Sequence, residues 1–301
     1  MKNIRLNGIL PPVTTPFNAQ GDVDYGALTS NIVRYNETGL AGYVPLGSNG
    51  EAVHLESGER NRVIETVKRA AASGLTVVGG VNELSTRAAI EAARVAADSG
   101  ADAVLVVTPY FYKSSMTQDA LARHFNEVAD HAPVPVLIYN VPQNTGVVIE
   151  SATIAALAAH QNIIGVKDSS GNMGAIAETV RLAPVGFAAM VGNGSIVYPA
   201  LAMGATGAVL GVACAAPRAC AEMYEAAKAG DHARASDLQH RIAPLSQIVT
   251  AGLGVPGLKA AMDMLGLAGG APRGPLIPVS ASDKERIRAV IRKTGLFPEI
   301  E

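Results

Sequence analysis

Residues Asn162 to Gly171 read Asn-Ile-Ile-Gly-Val-Lys-Asp-Ser-Ser-Gly. The first half is an apolar, β-branched run that reads as a buried strand, yet it ends in a lysine instead of a turn residue. Burying an unpaired ammonium is costly, and the usual escape is a lowered pKa and a neutral amine, which is a nucleophile. Two plainer explanations stand beside this one: the lysine stem reaches out to solvent, or the charge pairs with the adjacent Asp168. What the chain builds around this strand decides between them.

Similar short apolar runs ending in Gly, Pro, Asn or Ser occur at residues 8–13, 42–46, 76–81, 103–107, 135–139, 163–167, 187–191 and 207–212. Ala-rich amphipathic segments follow them, predicted helical at 25–38, 57–72, 86–99, 117–132, 149–159, 172–182, 196–203 and 217–229. Eight strand-then-helix units predict an α/β fold of the (β/α)8 TIM barrel type, because right-handed crossovers close a parallel sheet on itself. This repeat accounts for residues 1–229. Residues 230–301 read as a C-terminal helical extension packed on the barrel, with helices at 231–250, 258–265 and 282–294. They are broken by a glycine-rich stretch at 252–257 and a Gly/Pro-rich one at 269–278, and no low-complexity linker sets them apart as a second unit.

The 301 residues are 49% hydrophobic and 17% charged with a net charge of -2, which excludes a basic nucleic-acid footprint and a disordered tail. Two cysteines, Cys214 and Cys220, are too few for a disulfide framework or a zinc site and favour a reducing, cytoplasmic setting. The first eight residues lack an apolar signal core, and no run approaches the roughly 18 apolar residues of a membrane span. The expected partner is a small molecule, not nucleic acid or a membrane.

In such a barrel the active site lies at the C-terminal ends of the strands. The polar residues there are Thr14-Thr15, Gly47-Ser48-Asn49-Gly50-Glu51, Asn82-Glu83, Thr108-Pro109-Tyr110-Phe111-Tyr112, Tyr139-Asn140-Val141-Pro142, Lys167-Asp168-Ser169 and Gly192-Asn193-Gly194-Ser195. Tyr139 and Lys167 end strands consecutive in sequence, and parallel neighbours lie about 4.8 Å apart, so phenol and amine can meet over the barrel mouth. A neutral amine attacks a ketone to give an iminium while a phenol moves the protons. The iminium then serves as an electron sink for making or breaking a C–C bond without a metal. The six histidines are scattered, and no ligand spacing for zinc or magnesium is present. Gly47-Ser48-Asn49-Gly50 offers hydroxyl, amide and backbone N–H groups to a small carboxylate, although the same residues also make an ordinary turn.

Gly47-Ser48-Asn49-Gly50-Glu51, Val107-Thr108-Pro109-Tyr110, Tyr139-Asn140-Val141-Pro142 and Gly165-Val166-Lys167-Asp168 resemble, in order and spacing, the dihydrodipicolinate synthase and N-acetylneuraminate lyase family. The resemblance runs over essentially the whole chain. It implies a pyruvate-handling class I aldolase, a homotetramer, with no cofactor beyond a covalent imine. Lys167 would be the Schiff-base lysine and Tyr139 the proton shuttle. Ser48 and Asn49 would bind the pyruvate carboxylate, with Ser169 and Gly192 lining the pocket. Tyr110 or Tyr112 would supply a relay tyrosine to a neighbouring subunit.

Where condensing synthases carry an arginine after Tyr-Asn-Val-Pro, this chain has Gln143-Asn144-Thr145-Gly146, and Asn144 cannot supply that charge. Ser48-Asn49 replaces the family's usual pair of threonines. These departures, with Val255-Pro256-Gly257-Leu258-Lys259 near the C-terminus, look like the 4-hydroxy-2-oxoglutarate aldolase branch. The expected reaction is cleavage of 4-hydroxy-2-oxoglutarate, or a related 2-oxo acid, to pyruvate and an aldehyde such as glyoxylate. The alternatives are a 2-keto-3-deoxy sugar acid aldolase or dehydratase, a 4-hydroxy-tetrahydrodipicolinate synthase, and a catalytically silent 2-oxo-acid sensor.

Overall fold

The structure, a computed structural model, describes Ile4 and residues 6–298; the reading of the N-terminal stretch as lacking a signal core falls partly outside them. Eight parallel strands form one ring: β1 Gly8–Leu10, β2 Gly42–Tyr43, β3 Thr76–Val81, β4 Ala103–Val107, β5 Val136–Asn140, β6 Ile163–Asp168, β7 Ala188–Val191 and β8 Gly207–Val209. From β2 to β8 each pairs with its sequence neighbour, and β8 returns to β1. Between β1 and β2 the Ala41 N–H donates to the Ile9 carbonyl and the Val44 N–H to the Pro11 carbonyl, both at 3.0 Å, which closes the barrel.

Around the ring run α1 Tyr25–Tyr35, α2 Ser57–Ala70, α3 Thr86–Asp98, α4 Gln118–His131, the single turn α5 Pro142–Thr145, α6 Ser151–Leu157, α7 Met173–Leu182, α8 Val197–Ala202 and α9 Pro217–Lys228. Their starts are written in the sequence: Asp24, Ser85, Thr117 and Asn172 each accept a backbone N–H three residues on. The C-terminal part folds as α10 His232–Ser246, α11 Gly254–Met264 and α12 Ala281–Thr294. Among the described residues no helix is long and apolar enough to cross a membrane.

Several strands are shorter than the apolar runs predicted. Pro11 and Pro12 cannot donate to a ladder and stop β1; Pro45 and a left-handed Leu46 (φ 61°) stop β2; the chain after β8 turns into a 3-10 helix at Gly211–Cys214. The predicted helix at 231–250 ends early, and its last residues take the wider π geometry over Gln247–Gly252, with the Leu253 N–H donating to the Ile248 carbonyl at 2.9 Å.

Two apolar layers follow from the period of two along the strands. Leu10, Val44, Val78, Leu105, Leu137, Met190 and Val209 fill the barrel interior, while Val104, Val106, Val136 and Ile138 point outward against the helices. Tyr139 has the parity of Leu137 and caps this inner column.

Candidate active site

Lys167, the penultimate residue of β6, points inward, and a bulge puts it there. Val136 pairs with Ile163, but Leu137 pairs with Gly165, so Ile164 is an extra residue and the register beyond it sets Tyr139 opposite Lys167. Without that extra residue Tyr139 would face Val166, on the other side of the pleat. Gly165 is needed at the same point, because a Cβ there would stand 2.5 Å from the Ala188 carbonyl oxygen on β7.

Lys167 is 3% exposed, and its Nζ stands over the Tyr139 ring, 4.0 Å from the centroid. It has no ion-pair partner among the described residues. The neighbouring carboxylate is committed elsewhere: Asp168 Oδ2 accepts from Asn140 Nδ2 at 2.8 Å, and Oδ1 from the Ser170 N–H at 2.8 Å and the Ser170 hydroxyl at 2.5 Å. Consecutive strand residues point to opposite faces, so Asp168 turns away and the pairing explanation for Lys167 fails.

Ser48 Oγ lies 3.5 Å from the Tyr139 hydroxyl. Burial alone would raise the Tyr139 pKa, but the Lys167 charge and hydrogen bonds with Ser48, Lys167 and Ser169 outweigh it and hold the phenol below its ordinary 10.0. Ser169 presses directly on Gly192, where a Cβ would be 1.9 Å from Ser169 Oγ.

Lys167, Tyr139, Ser48, Asn49, Asn144, Ser169 and Gly192 all line one cavity of about 710 Å³ at the barrel mouth. The structure thus gathers seven sequence-predicted residues. Tyr110 and Tyr112 do not line it: Tyr110 packs half-buried against the outer core, and Tyr112 is 71% exposed, edge-to-face with Phe111. Among the described residues Lys167 is the one charged side chain of the lining. Among the described residues no three His, Cys, Asp or Glu side chains gather as a metal site.

The sequence reading missed the wall supplied by the C-terminal part. Ser246, Gln247 and Thr250, from the end of α10 and the π turn, line the same cavity. Gly194 and Gly211 make room for that wall, since a Cβ would lie 2.3 Å from Ser246 Oγ at the first and 2.8 Å from Thr250 Cγ2 at the second. Gln239 fixes it to the barrel, donating to the Gly194 carbonyl at 2.9 Å and accepting from the Tyr198 N–H at 2.8 Å. The sequence signal was weak: glycines after β7 and β8, with no motif on the opposing helix.

An inward amine beside a phenol of lowered pKa, under hydroxyl and amide donors, can form an imine with a small keto acid and shuttle its protons. Comparisons with known proteins agree with that chemistry. Residues 5–294 match the profile of the dihydrodipicolinate synthetase family. A 4-hydroxy-tetrahydrodipicolinate synthase of Methanothrix thermoacetophila is 37% identical over 287 residues, covering 95% of this chain and 96% of that one. That of Acidiphilium cryptum is 37% identical over 291 residues, 97% and 99% of the two chains. The crystal structure of a chloride-inhibited dihydrodipicolinate synthase from Acinetobacter baumannii in complex with pyruvate superposes with a TM-score of 0.92 at 31% identity, over 96% of this chain and 99% of that one.

Proposed function

The chain belongs to the dihydrodipicolinate synthetase family, and we propose that it forms an imine between Lys167 and a 2-oxo acid and cleaves that acid to pyruvate and an aldehyde. The observation that carries this is the inward, carboxylate-free Lys167 amine 4.0 Å from the Tyr139 ring centre. The Lys167 amine attacks the C2 carbonyl; loss of water gives the iminium, with Tyr139 passing protons to and from the carbinolamine oxygen. Ser48 and Asn49 hold the C1 carboxylate. Tyr139 then takes the C4 hydroxyl proton, the C3–C4 pair moves into the iminium, and the aldehyde leaves. The enamine is protonated at C3, and water releases pyruvate and the free amine.

The distal half of the substrate is read from the rest of the cavity. Its other polar side chains are neutral, among them Asn144, Asn193, Gln247 and Thr250, so the described residues offer no second cation to a second carboxylate. That favours 2-oxo acids whose distal half is hydroxylated, the 2-keto-3-deoxy sugar acids. The motifs Gly-Ser-Asn-Gly-Glu and Val-Pro-Gln-Asn-Thr-Gly favour 4-hydroxy-2-oxoglutarate, whose distal carboxylate would then rest on amides and hydroxyls. A second reading is condensation, as in 4-hydroxy-tetrahydrodipicolinate synthase, and the shared name of the relatives favours it over cleavage.

Two measurements separate these readings from each other and from the sensor. Borohydride reduction with pyruvate is expected to fix a pyruvate-derived mass on Lys167, and an unmodified folded protein would instead favour the sensor reading. Rates are then compared for cleavage of 4-hydroxy-2-oxoglutarate, cleavage of 2-keto-3-deoxy sugar acids, and condensation of pyruvate with aspartate semialdehyde. A preference of about tenfold in kcat/KM, roughly 1.4 kcal/mol in transition-state binding, assigns the partner; condensation in the lead would overturn the cleavage reading.

A further inference from the structure

A second buried lysine lies behind the site. Lys259 Nζ on α11 stands 2.6 Å from Glu51 Oε1, and both side chains are fully shielded from solvent. The same ammonium donates to the Thr15 carbonyl at 2.9 Å and the Ala271 carbonyl at 3.0 Å, so its three hydrogens are committed. Glu51 Oε2 accepts from the Arg273 N–H at 2.9 Å and lies 3.3 Å from His54 Nδ1.

Such a pair is a poor route to stability, because desolvating two charges costs about what their attraction returns, and apolar side chains of equal volume serve as well or better. Its location suggests another use. Glu51 directly follows the 3-10 turn Ser48–Gly50, and the turn is flanked by two left-handed non-glycine residues, Leu46 at φ 61° and Glu51 at φ 53°. A turn strained at both ends keeps its shape only if both ends are held. Asn82 Nδ2 holds the first, donating to the Leu46 carbonyl at 2.8 Å, and Lys259 holds the second. Thr15 reinforces the grip, its hydroxyl donating to the Gly50 carbonyl at 2.7 Å.

We propose that the Glu51–Lys259 pair is a positioning device: it anchors the Ser48–Gly50 turn from the C-terminal helices, keeping the Ser48 hydroxyl on Tyr139 and Ser48 with Asn49 on the substrate carboxylate. This rests on the reading of Lys167 as the imine lysine. Neither anchor residue touches substrate; both act through the turn.

The test replaces both charges with side chains of similar size, Glu51→Gln with Lys259→Met, in wild-type and Ser48→Ala backgrounds, with Glu51→Gln alone as a second variant should the pair fail to fold. Borohydride trapping gives the half-saturating pyruvate concentration, and amide hydrogen exchange follows residues 47–51. The expected result is a folded protein whose half-saturating pyruvate rises at least tenfold, with exchange faster in the turn and unchanged elsewhere in the barrel. In the Ser48→Ala background the same replacement should cost less than in the wild-type background, because one of the two groups it positions is gone. Unchanged half-saturation and exchange, or an equal loss in both backgrounds, would overturn the anchor. Absence of trapping in the wild-type protein would sink the imine reading instead, while turn exchange still decides whether the pair holds the turn.

Discussion

At the scale of single residues, the site turns on which way two influences push Tyr139. Burial disfavours its phenolate; the Lys167 charge and the surrounding hydrogen bonds favour it and win, so the phenolate forms at lower pH than in a free tyrosine, whose value is 10.0. Lys167 is the largest of the lowering influences. Lys167→Met removes it while burial stays, and the Tyr139 pKa is expected to rise. Tyrosinate absorbance followed against pH checks this. A phase centred below pH 10 is expected in the wild-type protein, missing in Tyr139→Phe and displaced upward in Lys167→Met. Survival of that phase in Tyr139→Phe would assign it to another tyrosine and remove the case for a lowered Tyr139 pKa. Lys167→Met is also expected to abolish imine trapping, since a thioether forms no imine.

At the scale of elements, the strand ends were legible because each apolar run stops in polar residues, which puts Lys167, Tyr139 and Ser48 on one face from the sequence alone. The bulge at Ile164 was not, since an extra residue in a buried strand leaves the apolar pattern intact. The π turn was equally hidden: residues 247–252 continue a helical pattern, and only the hydrogen-bond spacing changes. The Glu51–Lys259 contact joins positions 208 apart, and both quoted motifs held one half of it without pointing to the other. Gly165 gives a test of the β6 geometry. A Cβ there meets a β7 backbone carbonyl at 2.5 Å, which cannot swing aside as a side chain would. Gly165→Ala is expected to destabilise the fold by about 1–3 kcal/mol in denaturant unfolding, the usual cost of overpacking, and to lower turnover as Lys167 moves. Gly58→Ala on α2 has nothing within 4 Å and should be neutral or slightly stabilising, because alanine is the better helix former. Equal effects at the two sites would mean that β6 and β7 yield more readily than their geometry suggests.

At the scale of the whole molecule, the proposed imine chemistry draws on residues of one chain, whereas the relay tyrosine that the family resemblance implies is not among those lining the cavity. Tyr139 and Ser48 are within reach of each other, yet neither Tyr110 nor Tyr112 of the same chain lines the cavity. Phe111 and Tyr112 instead lie on the surface in the segment after β4, each 71% exposed and packed edge-to-face. Two adjacent exposed aromatics cost solubility unless a partner covers them, and a second copy of the chain would both cover them and receive Tyr112 as the relay that the family resemblance implies. The protein is accordingly expected to sediment as an oligomer, a tetramer if that resemblance holds. Phe111→Ser with Tyr112→Ser should lower the sedimenting mass and reduce kcat at least tenfold. Borohydride trapping of pyruvate should persist in the same variant, because Lys167, Ser48 and Asn49 belong to one chain. Tyr112→Phe separates the two roles: it keeps the ring for packing and removes the hydroxyl, so mass should hold while kcat falls. A wild-type protein that sediments as a monomer at full turnover would show that the relay is closed by water within one chain and that the aromatic pair serves something else.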